Sequence, residues 1–121
     1  MTNTDNGIFK SIDCYLLFVP DLKKGIELYS GKLGHEVLWK RDDSAGLKMP
    51  DSNTEIVLST SLPPETDLLV ESTDETVEKL LAEDFKLLLK PFDIPVGRFA
   101  AMLDPFGNKI SFLDLSKTKA P

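Results

Sequence analysis

The order of strand-like and helix-like segments occurs twice along this 121-residue chain, with Pro63 and Pro64 between the two copies. Each copy starts with an apolar, β-rich run, continues into a helix-like segment, and ends with three short strand-like runs. Two consecutive prolines are incompatible with a paired central strand or a helix interior. The sequence therefore predicts one domain over residues 1–121, with a βαβββ module at 11–61, a linker at 62–65, a second module at 66–115, and frayed ends at 1–6 and 116–121.

Local signals predict where the individual elements begin and end. Asp21 is the predicted N-cap of the first helix, which ends at Gly31 or Gly34. Ser72 or Thr73 caps the second helix. The predicted strands are residues 13–19, 36–40, 47–49, 55–59, 67–71, 85–90, 97–103 and 109–114, with turns at 42–46, 50–53 and 104–108. Equivalent positions lie about 50 residues apart, which favours a duplication but leaves a chance recurrence of common elements open.

The composition narrows the possible partners and the cellular setting. Fourteen basic against twenty acidic residues give a net charge of −6, and the basic residues are scattered, so nucleic acid is not an expected partner. No apolar run approaches the roughly 20 residues of a membrane span, and the polar first ten residues show no signal-peptide pattern. We therefore expect a cytoplasmic protein without membrane contact. Cys14 is the only cysteine, which excludes an intrachain disulfide and a cysteine-rich zinc site.

Two stretches resemble the vicinal-oxygen-chelate superfamily, which contains glyoxalases, bleomycin resistance proteins and dioxygenases. The first is residues 18–34, which begin FVPDL and end LG; the second is residues 97–110, GRFAAMLDPFGNKI, with its Asp-Pro-x-Gly-Asn turn. In that turn Pro105 presets φ and Gly107 supplies a positive φ. The resemblance covers about residues 12–115. It implies an α+β fold in which two tandem βαβββ modules form a curved mixed β-sheet cleft with flanking helices, and such a cleft is the default ligand site.

Metalloenzymes of this superfamily hold a divalent metal with a His or Glu on the first strand, a His on the strand that opens the second module, and a Glu after the final turn. The corresponding positions here are Cys14, Thr66 or Asp67, and Ser111, and none is the expected ligand. A neutral hydroxyl is a poor ligand for such an ion. We therefore expect no cofactor and no catalytic residue. The weaker alternative is an unusual metal site formed by Cys14, Asp67 and Glu55.

Candidate ligand contacts follow from the alternation of side chains along the strands. Cys14, Leu16 and Phe18 share one face of the first strand, and the resemblance implies that this face lines the cleft. The candidate partners on other strands are Trp39, Phe99, Ala101, Ser111 and Leu113, with ordinary core packing as the alternative for each. Arg98 is a further candidate because a guanidinium binds anionic groups; the alternative is a solvated arginine on an edge strand.

Three functions are compatible with these observations. The favoured one is a metal-free protein that binds a small, partly aromatic or antibiotic-like molecule in a dimeric cleft, and the resemblance also implies the homodimer. The second is a metal-dependent lyase, isomerase or extradiol-type dioxygenase with a non-standard site. The third is an interaction module whose cleft is filled by its own side chains, with Trp39 and Phe106 at protein contacts. Metal dependence separates the first two functions.

Overall fold

The computed structural model describes residues 6–118. Within this range the chain forms two compact units. We call residues 12–66 the N-terminal unit, and residues 6–11 together with 67–118 the C-terminal unit. No helix in the described range is both long and apolar enough to cross a membrane.

The N-terminal unit has one helix and four strands in the predicted order. Its elements are β1 (Ser11–Phe18), α1 (Leu22–Ile26), a π-helical segment (Glu27–Lys32), β2 (Val37–Lys40), β3 (Ser44–Lys48) and β4 (Glu55–Ser59). The strands lie side by side in the order β2-β3-β4-β1. Strand β1 pairs with β4 in parallel, and the other pairs are antiparallel.

The first helix begins and ends at residues that the sequence identified. The Asp21 side chain accepts a hydrogen bond from the backbone N–H of Lys24 at 3.1 Å, which confirms Asp21 as the N-cap. Gly31 lies inside the π-helical segment, so the helix continues past it. Gly34 has a φ of +85° and ends the helix, because glycine enters this left-handed region without steric cost.

The core of the N-terminal unit lies between α1 and one face of its strands. That face carries side chains from three strands, and α1 covers it with Leu22, which is buried. The buried cluster consists of Val19, Leu22, Ala45, Leu47, Ile56 and Leu58, with Leu17, Ile26, Tyr29 and Met49 packed against it. The opposite face of these strands therefore has no helix of this unit packed against it. We call it the N-terminal open face.

The C-terminal unit repeats the arrangement. Its elements are β5 (Glu65–Leu69), α2 (Thr73–Leu81), β6 (Lys86–Ile94), β7 (Gly97–Leu103) and β8 (Lys109–Leu113), with strand order β5-β8-β7-β6. Ser72 is the N-cap of α2, since its side chain accepts a hydrogen bond from the N–H of Glu75. The core under α2 contains Val70, Val77, Leu80, Ala100, Met102 and Phe112.

The residues before β1 complete this C-terminal core. Ile8 packs against the cluster under α2, and the rings of Phe9 and Phe112 are 6.2 Å apart. The backbone N–H of Lys10 donates to the carbonyl oxygen of Leu69 at 2.8 Å. The C-terminal unit is thus built from two separate parts of the chain.

A buried carboxylate fixes the start of α2 to the strands beside it. Asp114 accepts hydrogen bonds from the backbone N–H groups of Thr73 at 2.8 Å and Arg98 at 3.0 Å, and from the Ser116 hydroxyl at 2.6 Å. Burial alone raises the pKa of Asp114, but hydrogen bonds from Ser116, Thr73 and Arg98 outweigh it and lower the pKa to about 2. Asp114 is therefore charged at neutral pH.

Several predicted boundaries are wrong. Strand β3 begins at Ser44, inside the predicted turn at 42–46, and Glu65 of the predicted linker belongs to β5. Strand β6 continues through Pro91, which an edge strand tolerates because one side of it has no partner strand in its sheet.

The predicted frayed tail also begins too early. Its first residue, Ser116, is held by Asp114, and the N–H of Lys117 donates to the carbonyl oxygen of Val96 at 3.0 Å. Residues 1–5 and 119–121 of the predicted frayed ends lie outside the described range.

Candidate functional site

The N-terminal open face carries four of the predicted ligand contacts. In the β1–β4 register Cys14 is opposite Glu55 and Leu16 is opposite Val57, while Phe18 follows two residues later on the same face. Trp39 lies on the same face. It is opposite Gly46 in the β2–β3 register, and Gly46 is opposite Val57 in the β3–β4 register. Cys14 and Leu16 are buried, whereas Phe18 is 50% exposed. The face therefore presents an aromatic side chain to its surroundings.

Trp39 is held against the strands by a close approach and a hydrogen bond. Its Nε1–H donates to Glu55 Oε1 at 2.7 Å. The indole fills the space beside Gly46, where the Cβ of any other residue would overlap indole Nε1 and Cε2. Three neighbouring strands thus fix the indole. Strand β2 carries Trp39, Gly46 of β3 leaves space for the ring, and Glu55 of β4 accepts its N–H.

The charges around Trp39 are unevenly distributed. Glu55 is half-buried. The pKa of the nearby Asp13 is raised, first by its own burial and further by the negative charge of Glu55. Lys48 is opposite Glu55 in the strand register but forms no ion pair with it within 4.0 Å. The guanidinium carbon of Arg41 lies over the Trp39 ring, 5.5 Å from its centroid. The indole thus has a carboxylate at its edge and a cation over its face.

The C-terminal unit has a corresponding open face on the side of its strands away from α2. Phe99 is opposite Leu113, and Ala101 is opposite Ser111, in the β7–β8 register. These four predicted contacts alternate with Ala100 and Phe112, which pack under α2, so they lie on the other face. Asp67 of β5 is opposite Ser111, and the Phe92 ring of β6 is 5.5 Å from that of Phe99.

Arg98, the remaining candidate, points away from this open face. Its guanidinium donates from Nε and Nη2 to the two carboxylate oxygens of Asp74, in the first turn of α2, and from Nη1 to Asp93. Arg98 therefore lies on the α2 side of β7. Because side chains alternate along a strand, Arg98 points to the opposite face from Phe99 and Ala101. Its guanidinium N–H groups already donate to the carboxylates of Asp74 and Asp93.

The two units, each with an open sheet face beside one helix, match a known family. The family profile described as Glyoxalase/Bleomycin resistance protein/Dioxygenase superfamily matches residues 11–112. The chain belongs to this superfamily. No curated protein matches it significantly.

Solved structures of superfamily type share the fold at low sequence identity. Methylmalonyl-CoA epimerase from Mycobacterium tuberculosis is 19% identical, with a TM-score of 0.76, over 100% of this chain and 94% of that one. The Mn(II)-bound glyoxalase from Novosphingobium aromaticivorans is 17% identical, with a TM-score of 0.64, over 94% of this chain and 40% of the other. Homoprotocatechuate 2,3-dioxygenase from Brevibacterium fuscum is 16% identical, with a TM-score of 0.62, over 87% and 36%. At these identities the likeness supports the fold class alone.

The residues at the superfamily's metal positions do not fit a divalent metal. Superfamily members often bind such ions, but one of the three positions is the hydroxyl of Ser111, which is a poor ligand. Within residues 6–118 no three side chains of His, Cys, Asp or Glu are grouped so that they could hold a metal ion.

Two surface grooves lie away from the open faces. One, of about 520 Å³, runs between residues 6–10 and α2 and is lined mainly by polar side chains such as Glu75 and Lys79. The other, of about 270 Å³, lies beside α1 and is lined by residues that include Val19 and Tyr29. Neither groove contains any of the predicted ligand contacts.

Sequence reasoning missed how Gly46 and Glu55 support Trp39. Glu55 was considered only as a weak metal ligand, and Gly46 only as a turn residue. Glu55 is the one charged residue at the start of the apolar run EIVLS, which marks it as a carboxylate carried by a central strand. No local pattern identifies Gly46, because its role depends on the register of β2, β3 and β4.

Proposed function

We propose that the chain binds a small, partly aromatic molecule, without a metal, on its N-terminal open face. The observation that carries this proposal is the fixed indole of Trp39, which is held beside Gly46 by Glu55 on the same face as the half-exposed Phe18. A preoriented aromatic ring offers a stacking surface at little entropic cost. Val57, a partly exposed apolar neighbour on the same face, suits the same kind of ligand.

The second part of the proposal is a homodimer with an enclosed site. An open sheet face leaves a bound molecule in contact with water on one side, whereas known ligand sites bury most of the ligand. A second copy of the chain would supply the missing wall. Superfamily members commonly form oligomers, which supports this arrangement.

A metal-dependent lyase, isomerase or dioxygenase is the less favoured candidate. The glyoxalase among the similar structures is Mn(II)-bound, and other similar structures are dioxygenases. The donor chemistry at Ser111 opposes this function, since a neutral hydroxyl does not replace an imidazole or carboxylate ligand, and one cysteine does not hold a metal by itself.

The emission of Trp39 tests the proposed binding directly, because it is the only tryptophan in the chain. We would titrate the protein with benzyl alcohol, catechol and benzamide and record Trp39 emission together with the midpoint of thermal unfolding. At ten times Kd, a ligand that binds only the native state adds about 1.4 kcal/mol to the free energy of unfolding. We expect a saturable emission change and a higher unfolding midpoint with at least one compound.

Two substitutions separate site binding from nonspecific contact. Phe18→Ala removes an aromatic side chain from the N-terminal open face, whereas Phe106→Ala removes one from the β7–β8 turn, where Phe106 is 88% exposed. Phe18→Ala should weaken binding at least fivefold and Phe106→Ala should leave it unchanged. Equal effects of the two substitutions, or no saturable change with any compound, would contradict the proposed function.

A further inference from the structure

The edge of the Trp39 ring has a carboxylate beside it, and no lysine or arginine among residues 6–118 forms an ion pair with that carboxylate. Glu55 accepts the indole N–H with Oε1. Even Lys48, directly opposite in the strand register, is exposed and does not pair with it. A carboxylate without an ion-pair partner within 4.0 Å attracts a positively charged group.

A second carboxylate, Asp13, lies near Glu55 but on the other face of β1, because it alternates with Cys14 along the strand. Asp13 lies on β1 next to Cys14, which is opposite Glu55, and is itself half-buried. The negative charge of Glu55 contributes to a raised pKa of Asp13. On the open face itself the negative charge at the edge of the ring is therefore that of Glu55 on β4.

The face of the ring already accepts a cation. The guanidinium of Arg41 lies over Trp39 at 5.5 Å from the ring centroid, within the distance at which a cation is attracted by the π-system. Arg41 is exposed, and no carboxylate holds it there in the described range. A ligand cation could therefore replace it at little cost.

We propose that Trp39, Glu55 and Gly46 form a subsite for the protonated amino group of an arylalkylammonium ligand. The subsite rests on the proposed function and defines the class of molecule bound: an aromatic ring that contacts the apolar part of the open face, and an ammonium group that binds beside Glu55 and over the indole. Gly46 makes the subsite possible, because a side chain at this position would displace the indole.

Three matched probes test this subsite: 2-phenylethylammonium, the neutral 2-phenylethanol and the anionic 3-phenylpropionate. Affinities come from Trp39 emission and, independently, from isothermal titration calorimetry at pH 7.5. We expect the ammonium compound to bind at least tenfold more tightly than the alcohol, and the carboxylate to bind least. An ammonium affinity equal to or below that of the alcohol overturns the subsite while leaving the proposed function intact, whereas the absence of saturable binding by all three overturns both.

Glu55→Gln isolates the charge, because the amide oxygen still accepts the indole N–H. This variant should lose the tenfold preference and keep its affinity for 2-phenylethanol. Glu36→Gln is the matched control, since it removes an equal charge from an exposed position just before β2 and should keep the preference. Arg41→Ala should strengthen ammonium binding, because it removes the competing cation. A preference that persists in Glu55→Gln would refute the assignment of Glu55.

Discussion

Gly46→Ala should disrupt the N-terminal open face by adding a single methyl group. The Cβ would overlap Nε1 and Cε2 of Trp39 and lie 2.7 Å from Glu55 Oε1, so the indole must leave its position. Gly46 does not have a positive φ, and alanine is therefore compatible with its backbone. On conformational entropy alone the substitution would stabilise the protein by about 0.4–1 kcal/mol.

The expected loss of stability comes from the displacement of the Trp39 indole. A hydrogen bond to a charged group contributes about 1.5–3 kcal/mol, and added volume in a packed site costs about 1–3 kcal/mol. Trp39 is partly exposed and can relax outward, so the smaller values apply. We expect a net loss of about 1–3 kcal/mol in the free energy of unfolding, with Trp39 emission shifted to longer wavelength.

Urea unfolding followed by far-ultraviolet circular dichroism measures the stability, and fluorescence reports the position of the indole. Gly31→Ala is the matched control, because no atom lies within 4 Å of the Cβ added there, and it should be neutral or stabilising. In a Trp39→Ala background the Gly46→Ala cost should fall to nearly zero, since the overlapping ring is gone. An equal cost in both backgrounds would refute the argument that the indole causes the loss.

Three further predictions concern the C-terminal unit, metals and assembly. The pKa of Asp114 is about 2 when folded, below the ordinary 3.8, so its ionisation adds stability above about pH 4 that is lost as the pH falls towards 2. The contribution of Asp114 to the free energy of unfolding is about 2 kcal/mol. The loss of stability between pH 5 and pH 2.5, measured by urea unfolding, should therefore be smaller in Asp114→Asn than in the unmodified protein. An equal loss in both proteins would contradict the role of Asp114. Metal-stripped protein should show no shift in its unfolding midpoint with Mn²⁺, Zn²⁺, Ni²⁺, Co²⁺ or Fe²⁺. A metal site at 100 times its Kd would add about 2.7 kcal/mol to the free energy of unfolding. A shift that Cys14→Ala abolishes would support the metal-dependent alternative. Sedimentation at micromolar concentration should give a dimer, and a strictly monomeric species would count against the enclosed site.

The periodicity and capping signals were enough to predict most of the fold. Asp21 and Ser72 cap their helices as expected, because an N-cap is a local hydrogen bond that a short sequence encodes. Boundaries failed where tertiary packing outweighed composition. Ser44 and Gly46 have the composition of a turn, yet they extend β3 because Ala45 and Leu47 are buried in the core.

The candidate site was only partly predictable from sequence. Alternation places Phe99 and Ala101 on one face, but the sequence contains no signal for which face α2 covers, and it does not predict the contact of Arg98 with Asp74. The support of Trp39 by Glu55 connects residues 16 positions apart. Such a contact depends on strand register, for which a single sequence contains no direct signal.

The two-part construction of the C-terminal unit has a consequence for synthesis on the ribosome. Phe9 is made early, but its ring partner Phe112 follows roughly 100 residues later, which takes about 5–20 s at 5–20 residues per second. Residues 12–66 contain their own core, and all of them are synthesised well before Phe112. Until Phe112 has been synthesised, the segment with Ile8 and Phe9 lacks its final contacts, so it is among the last of the described segments to reach its native position.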